Sequence, residues 1–319
     1  LRITNGKNIT IEDLTLEDTA GDVIKAMDCD GLTFRRVNAA ATGKMESSNP
    51  AYLFYPVLSK NILIEECVAI GASDAGIYVG QSSNVVVRNN QVYFNVAGIE
   101  SENCGNVKIY DNDVHDNVSG VLAFDLPGLA RYGKNVDIYN HKIYDNNIRS
   151  FAPAGSIVGE VPSGTGMLIM SSDSIYVHDN EFKDNRTMDI AISSYVSVAK
   201  GDTDATSPQA STSDNAITQA RLNQMSAQAA GIGDAIKNDK WFPTVHNQFG
   251  LLMYYASFMK HINIVWDGQR AADYLMPDGS IKPEYQFCID EKEGTRFIDA
   301  DIGNDLANLS KDLSKHKCN

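Results

Sequence analysis

A short phrase of the sequence returns seven times and limits this chain to a repeat fold. Each copy opens on Asn, Ser or Gly, continues as a run of alternating apolar residues, and ends in a corner rich in Asn and Asp. The copies begin at residues 8, 31, 61, 84, 106, 135 and 174, so their starts differ by 23, 30, 23, 22, 29 and 39 residues. A shortest interval of 22 residues, with insertions in the longer ones, is typical of one coil of a solenoid.

The pattern within each copy indicates strands rather than helices. In the copy NVKIYDN, Val107 and Ile109 are apolar while Lys108 falls on the other face, which is the period of a strand. The runs end at Asn and Asp, which tolerate left-handed backbone. No stretch before residue 200 sustains a helical period, and the Leu and Asn ladder of a leucine-rich repeat is missing. The sequence therefore predicts an all-β, single-stranded, right-handed parallel β-helix.

The repeat also predicts how the chain is divided. We expect one structural domain with β-helix coils over residues 1–199, a loop and helical insertion over 200–248, and the last coils with a C-terminal cap over 249–319. Apolar residues from Ile217 to Ala229 recur at helical intervals, which predicts an amphipathic helix in the insertion. The sequence leaves open whether that helix is a packing cap or an active-site lid.

Charge excludes several classes of partner. The formal net charge of −14 argues against nucleic acid and against an anionic membrane surface as partners. It also counts against a polyanionic ligand unless cations mediate the contact. The sequence contains no run of eighteen apolar residues, so we expect no membrane span.

The cysteines and the N-terminus both bear on location. Cys288 and Cys318 flank the last thirty residues, where a disulfide would pin the tail to the body in a secreted protein. We expect Cys29, Cys67 and Cys104 to be small buried thiols at strand ends or corners. Because residue 1 is Leu rather than Met, we expect that a targeting segment has been removed.

The coil phrase, together with SDAGIYVGQSSN, AGIESENCGN and GVLAFDLPG, resembles the parallel β-helix repeat superfamily. That superfamily includes pectate and alginate lyases, uronan C5-epimerases, rhamnogalacturonan-type hydrolases and uncharacterised secreted proteins. The resemblance covers residues 6–195 and implies a secreted, periplasmic or cell-surface protein whose partner is a polysaccharide or oligosaccharide. The sequence departs from the alginate epimerases, because their Asp-Pro-His-Asp signature is replaced by Asp113-Val114-His115-Asp116.

Aligning the second run of each coil predicts a functional strip. If the repeat starts are equivalent corners, one outward-facing column contains Lys25, Tyr55, Tyr78 and Glu100, and continues with Leu122, Leu168 and Ala191. Parallel coils lie about 4.8 Å apart, so the first four side chains span roughly 14 Å, the reach of two or three sugar rings. We predict that these four residues are catalytic and point into solvent, with Tyr or Lys moving a proton if its proton affinity is lowered.

Neighbouring columns supply further candidates. Phe124, Gln81, Asn103 and Asp125 are predicted to contact substrate, with the Phe124 ring stacking on a pyranose. Carboxylates gather at the same end, so we predict that a Ca²⁺ site, if there is one, uses Glu100, Glu102, Asp125 and Asp74.

Three classes of function follow from the strip. The first is a lyase or epimerase that abstracts a proton next to a uronate in an acidic polysaccharide, or a hydrolase that uses an outward carboxylate pair. The second is a noncatalytic glycan-binding or surface module. The third is a structural assembly protein, which exposed apolar patches at Leu122, Leu168 and Leu252 would favour. Outward Tyr residues that only pack against one another are the structural alternative for the strip itself.

Overall fold

The computed structural model describes residues 1–193, 195, 221–223, 262–268, 276–280, 282, 287–301 and 306–318. Apart from short 3-10 helices at Val158–Glu160 and Leu313–His316, the assigned elements are strands. The strands are β1 Arg2–Thr4, β2 Lys7–Glu17, β3 Ile24–Met27, β4 Asp30–Ala40, β5 Tyr52–Val57, β6 Lys60–Glu65, β7 Val68–Ile70, β8 Ala75–Gly80, β9 Ser83–Arg88, β10 Gln91–Tyr93, β11 Ala97–Glu102, β12 Gly105–Tyr110, β13 Asp113–His115, β14 Ser119–Phe124, β15 Lys134–Tyr139, β16 Lys142–Tyr144, β17 Thr165–Met170, β18 Asp173–His178, β19 Glu181–Lys183, β20 Met188–Ser193, β21 Arg221–Asn223, β22 Ile262–Trp266, β23 Cys288–Asp290 and β24 Phe297–Asp299.

The strands pair with their counterparts one coil away, always in parallel. One sheet has ten strands in the order β1-β3-β5-β8-β11-β14-β17-β20-β22-β24. The other strands form a second sheet, in which the long strand β4 pairs with β2, β6 and β7 and so joins two faces of the solenoid. This architecture confirms the predicted right-handed parallel β-helix.

The residues that open the repeated phrase share one backbone conformation. Asn61, Asn84, Asn106 and Asn135 have φ between 56° and 58°, Ser174 has φ of 55°, and Gly31 has φ of 83°. Asn, Asp and Gly adopt this left-handed conformation at the lowest cost, because a short polar side chain bonds locally and Gly has no Cβ. The residue that opens each repeated phrase therefore marks a left-handed corner in its coil. The Asn side chains also bond between coils, as from Asn84 Nδ2 to Asn61 Oδ1 at 3.0 Å.

A second set of asparagines lies inside the solenoid. Asn112 accepts a hydrogen bond at 3.0 Å from the backbone N–H of Asn90, and Asn117 accepts one at 3.0 Å from Asn95. His141 continues the first ladder by accepting from the N–H of Asn112 at 3.2 Å. Burial lowers the pKa of His141 to about 4, so the ring is a neutral corner residue. These ladders satisfy backbone groups at buried corners, where an unpaired N–H is costly.

Two apolar clusters lie on opposite sides of the ten-stranded sheet. The inner one fills the solenoid and contains the inward-facing residues Ile24, Phe54, Ile77, Ile99 and Val121, each with no exposed area. The outer one covers the opposite face of the same sheet. Two loops pack there: loop 125–133, between β14 and β15, and loop 145–164, between β16 and β17. They account for the repeat intervals of 29 and 39 residues.

The C-terminal residues extend the solenoid. Strands β22 and β24 continue the ten-stranded sheet, and β23 ends the other sheet beside β21. Cys288 and Cys318 form the predicted disulfide, and the thiols of Cys29, Cys67 and Cys104 are buried as expected. At residues 221–223 the structure has a strand where the sequence predicted a helix. The rest of that prediction, and Leu252, lie outside the described residues. In the described part of the chain, no helix is long and apolar enough to cross a membrane.

Candidate functional site

The strand register brings the predicted strip together. Lys25 pairs with Tyr55, and Tyr78 pairs with Glu100 on the next strands along the ten-stranded sheet. Phe54 pairs with Ile77, so Tyr55 lies beside Tyr78. The column continues from Glu100 through the predicted residues, Leu122, Leu168 and Ala191. The predicted alignment of the coils is therefore correct.

Lys25 and Tyr55 are partly exposed, but Tyr78 and Glu100 do not face solvent, which corrects the prediction for these two residues. Tyr78 is only 4% exposed and Glu100 only 3%. Both side chains point away from the solenoid core, but they are buried in or beside the outer cluster, under the loops that pack there. Leu122 and Leu168 are buried in the same cluster, so these two residues do not form the exposed patch that would favour an assembly protein.

A cavity of about 230 Å³ lies between the sheet and loop 145–164. Its floor comes from strands of the ten-stranded sheet and its wall from both loops. The described lining residues are Tyr52, Asp74, Glu100, Glu102, Leu122, Phe124, Leu126, Ile157, Val158, Glu160, Val161, Pro162, Thr165, Leu168, Met170 and Ala191.

Three carboxyl groups meet at this cavity, and burial changes their protonation. Glu100 and Glu102 alternate on β11 and so face the same side, while Asp74 directly precedes β8. Burial raises the pKa of Asp74 to about 6 and that of Glu102 to about 7, even though Asp74 accepts a hydrogen bond from Tyr52 and Glu102 accepts one from Tyr78. For Glu100, burial and then the charges of Asp74 and Glu102 raise the pKa well above its ordinary value.

The Glu100 carboxyl lacks a partner at one of its oxygens. Its Oε1 is buried and forms no hydrogen bond with any described residue. A buried polar atom without a partner costs free energy, roughly 1–3 kcal/mol, and such exceptions require an explanation. Because the side chain lines the cavity, a hydrogen bond to a bound molecule would remove that cost.

The tyrosines form a packed group at one end of the cavity. The Tyr52 and Tyr55 rings stack with centroids 4.5 Å apart, and Tyr78 lies 4.9 Å from Tyr52. Burial, followed by nearby carboxylates, raises the pKa of all three phenols. A tyrosine that abstracts protons needs a lowered pKa, so these residues are poorly suited to the catalytic-base role predicted for Tyr55 and Tyr78.

Lys25 lies at the edge of the tyrosine group rather than at the carboxyl groups. Its Nζ is 3.2 Å from Asp22 Oδ2 and 4.3 Å from the centre of the Tyr55 ring. Lys25 does not line the cavity, so the structure separates it from Glu100, with which it was predicted to act.

Three of the predicted substrate-binding residues instead hold loop 125–133. Asn103 donates to the carbonyls of Leu126 at 3.0 Å and Arg131 at 2.7 Å, and it accepts from the Leu126 N–H at 2.8 Å. Asp125 accepts from the Gly133 N–H and from the Ser172 hydroxyl, and Gln81 accepts from the Ala130 N–H. Asn103 and Asp125 are buried with their polar atoms bonded to protein, which corrects their assignment. Phe124 lines the cavity, and its contact with substrate stays a prediction.

The proposed calcium ligands are not assembled as one site. Asp125 uses its carboxylate to hold the Gly133 N–H and the Ser172 hydroxyl, away from Asp74, Glu100 and Glu102 at the cavity. Among the described residues, no group of three or more His, Cys, Asp or Glu side chains has an arrangement that would hold a metal ion.

The comparisons with known proteins address the fold. A family model described as "Right handed beta helix region" matches residues 1–126. The chain is a right-handed parallel β-helix. A search of curated proteins found no match.

Two solved structures are similar to this chain in fold, and both proteins are longer than this chain. The A-module of the Azotobacter vinelandii mannuronan C-5 epimerase AlgE4 is 18% identical, with a TM-score of 0.49, over 70% of this chain and 54% of that one. The enzymatically active domain of bacteriophage CBA120 tailspike protein 2 is 10% identical, with a TM-score of 0.45, over 91% of this chain and 42% of that one. This β-helix thus spans about half the length of these proteins. The similarity concerns the fold alone.

Sequence reasoning missed the residues that close the cavity. Tyr52 lies at the start of β5, just after an insertion, where the repeat defines no register. Val158 and Val161 lie in loop 145–164, which has no strand pattern. The one available signal was the repeat interval of 39 residues, because an insertion of that length must lie over some face of the solenoid.

Proposed function

We propose that this β-helix is a glycan-active enzyme that cleaves a glycosidic bond with the carboxyl groups of Asp74, Glu100 and Glu102. The observation that carries the proposal is that Glu100 lines the cavity and that its buried Oε1 has no hydrogen-bond partner. A protonated carboxyl beside an ionisable one is the arrangement that glycoside hydrolysis requires.

The electrostatics of the three carboxyl groups suggest their roles. Burial and the nearby carboxylates raise the pKa of Glu100 well above its ordinary value, so we assign Glu100 as the acid that donates its proton to the glycosidic oxygen as the C–O bond breaks. Asp74 and Glu102, with pKa values of about 6 and 7, ionise more easily. Positive charge develops on the sugar ring as the C–O bond breaks. One of the two carboxylates takes a proton from the water whose oxygen bonds to the sugar carbon, or bonds to that carbon itself, and the other stabilises the positive charge.

A uronate lyase or epimerase is the second candidate, and one observation favours it. A carboxylate with a pKa of about 7, as in Glu102, is suited to abstract the proton next to a uronate carboxyl near neutral pH. In this version the Glu100 carboxyl, whose pKa is raised, would donate a hydrogen bond to the uronate.

An activity screen tests both candidates. The protein is incubated with neutral glycans, alginate and pectate, with and without Ca²⁺, and new reducing ends, ultraviolet-absorbing unsaturated products and C5 inversion are measured. Hydrolysis predicts reducing ends alone. Unsaturated ends or inversion would replace it with the second candidate. If a glycan array shows binding but all three signals stay blank, a noncatalytic binding module replaces both.

Two variants locate the active centre. Glu100→Gln keeps the shape of the side chain but donates no proton, so we expect turnover to fall by at least 10²-fold. Glu46→Gln, on the exposed loop before β5, is the matched control and is expected to keep full turnover. Full turnover by Glu100→Gln on the substrate found would remove the carboxyl group from the mechanism.

We also propose that the protein works outside the cytoplasm, in a secreted, periplasmic or cell-surface location. The Cys288–Cys318 disulfide supports this, because structural disulfides persist in oxidising compartments and are rare in reducing ones. Detection of the protein, with this disulfide intact, in the culture medium or periplasm of its host would support the proposal. Detection in the cytoplasm alone, with free thiols, would contradict it.

A further inference from the structure

We infer that the cavity takes a neutral sugar carrying a methyl-bearing substituent, either the methyl of a 6-deoxy sugar or that of an N-acetyl group. This inference rests on the proposed glycan activity and names its substrate class. It separates the two candidates, because a uronate does not belong to this class.

The charges around the cavity argue against an anionic sugar. Asp74, Glu100, Glu102 and Glu160 line it, and none of the described lining residues is Lys, Arg or His. Lys25, the cation nearest along the strip, pairs with Asp22 and stacks over Tyr55 outside the lining. A uronate, sulfate or phosphate at the carboxyl groups would therefore meet like charge without a counter-ion, in a buried setting where water screens poorly.

Beyond Glu100 along the sheet, the lining is mostly apolar, with Glu160 and Thr165 as its polar members. Leu122, Leu168 and Met170 form its floor, and Val158 and Val161 come from loop 145–164. All five side chains are buried, so they offer a bound molecule no hydrogen bond. A sugar hydroxyl placed against these side chains would lose its hydrogen bonds to water and form none with them. A methyl group would be stabilised by the same apolar contact.

The size of the cavity limits the ligand. At about 230 Å³ it is smaller than the 300–1,000 Å³ typical of sites for drug-sized ligands. This volume suits one sugar residue, with the carboxyl groups at one end and the substituent against the apolar end. The remainder of a longer glycan would extend past Ile157, which is 46% exposed and stands at the rim.

The test compares matched methyl glycosides by titration calorimetry on the wild-type protein. Methyl α-L-fucoside and methyl α-L-galactoside differ only by the oxygen on C6, and methyl N-acetylglucosaminide and methyl glucoside differ only at C2. Methyl glucuronide is the anionic probe. We expect one methyl-bearing glycoside to bind at least tenfold more tightly than its hydroxyl counterpart and than the glucuronide. The pair that shows the difference identifies the substituent.

Val161→Thr tests the position of the methyl group. It replaces a methyl of the cavity wall by a hydroxyl at nearly constant volume, and we expect the tenfold preference to shrink to threefold or less. Val118→Thr is the control, because Val118 is buried in the outer cluster but does not line the cavity. Its ligand preference should remain that of the wild type.

The outcomes distinguish this inference from the function on which it rests. Equal binding within both pairs, or tightest binding of the glucuronide, would overturn the inference while the glycan site stands. A preference that survives Val161→Thr would also overturn it, since the methyl group would then lie elsewhere. No binding of any probe, together with a blank activity screen and glycan array, would overturn both.

Discussion

Tyr78 and Glu100 are paired on the adjacent strands β8 and β11, and both turn their side chains away from the solenoid core into a second, buried environment. A coil of 22 residues leaves this pair outside the solenoid core. The pair is nevertheless buried, because insertions in later coils cover the outward face of the sheet. Burial on that face, rather than on the inner one, is what gives the Glu100 carboxyl its raised pKa.

Removing the Glu100 charge is expected to stabilise the protein at alkaline pH. Ionised Glu100 would be a buried charge that no cation faces among the described residues, and its Oε1 has no hydrogen-bond partner. Glu100→Gln should raise the free energy of unfolding at pH 8 by about 1–3 kcal/mol, measured by urea titration. The exposed Glu46→Gln should change it by less than about 0.5 kcal/mol. A destabilised Glu100→Gln protein at pH 8 would mean that the carboxylate has a stabilising partner.

The stability of the wild type should fall as the pH rises from 5 to 8. Burial raises the pKa of Glu102 from 4.5 to about 7 and that of Asp74 from 3.8 to about 6. Between the unfolded and folded pKa values the native state binds more protons, so this contribution is complete below pH 4 and is lost as the pH passes 6 to 7. Melting temperatures by calorimetry at pH 5, 6.5 and 8 should decrease, by an amount corresponding to roughly 2 kcal/mol per group.

Glu102→Gln is the control for that dependence. It removes one of the titrating groups, so its melting temperature should fall less steeply over the same pH range. If the wild type and Glu102→Gln have parallel profiles, Glu102 titrates normally in the folded protein and burial does not control its charge.

Loop 125–133 should loosen when Asn103 loses its side chain. Asn103 has φ of 49° and makes three hydrogen bonds to the loop, so Asn103→Gly keeps the backbone conformation while removing the contacts. Trypsin should then cut faster after Arg131, and the free energy of unfolding should fall by about 2–3 kcal/mol. Leu58→Gly is matched to it, because Leu58 occupies the corresponding corner with φ of 51° and is 39% exposed. Cleavage after Arg131 at the wild-type rate in Asn103→Gly would show that other contacts hold the loop.

The two asparagine ladders should differ in their importance for stability. Asn117, which has no exposed area, donates to the carbonyls of Val92 and His115 and accepts from the N–H of Asn95. Asn117→Ala leaves these groups unpaired in the interior and should cost about 3 kcal/mol or more by urea titration. In the exposed ladder, Asn106→Gly keeps the left-handed corner and loses two hydrogen bonds, one of 3.3 Å donated to Asn84 and one of 3.1 Å accepted from Asn135. It should cost less than about 1 kcal/mol. Equal losses would mean that burial does not set the value of these bonds.

The repeated sequence pattern was sufficient to predict the register of the coils. It was not sufficient to predict that loops 125–133 and 145–164 pack over the outward face of the sheet. Lys25, Tyr55, Tyr78 and Glu100 align because each coil places a left-handed Asn or Gly at the same point and a strand of four or six residues before it. The burial of Glu100 depends instead on loop 145–164, whose apolar residues follow no period and pack against a strand far away in the chain. Whether these side chains are exposed depends on that long-range contact. The order of the four residues was therefore predicted correctly, whereas the burial of Tyr78 and Glu100 was not.

The same distinction explains the corner residues Gln81, Asn103 and Asp125. Their place after the strands was predictable from the repeat, and side chains of this kind bind sugars as readily as they bind backbone groups. Which of these they bind depends on the path of loop 125–133, and that path is determined by the contacts themselves. The sequence therefore predicted polar residues beside the candidate site. It did not predict that they hold loop 125–133 in place.

The most direct test of the account is a pH titration of the glutamate side chains by carbon NMR, with ¹³C-labelled glutamate and signals assigned through Glu100→Gln and Glu102→Gln. We predict that the Glu102 carboxyl titrates near pH 7 and that the pKa of Glu100 also lies well above the ordinary glutamate range. Titration of both groups between about pH 4 and 5, as in exposed glutamates, would contradict the buried acid–base site.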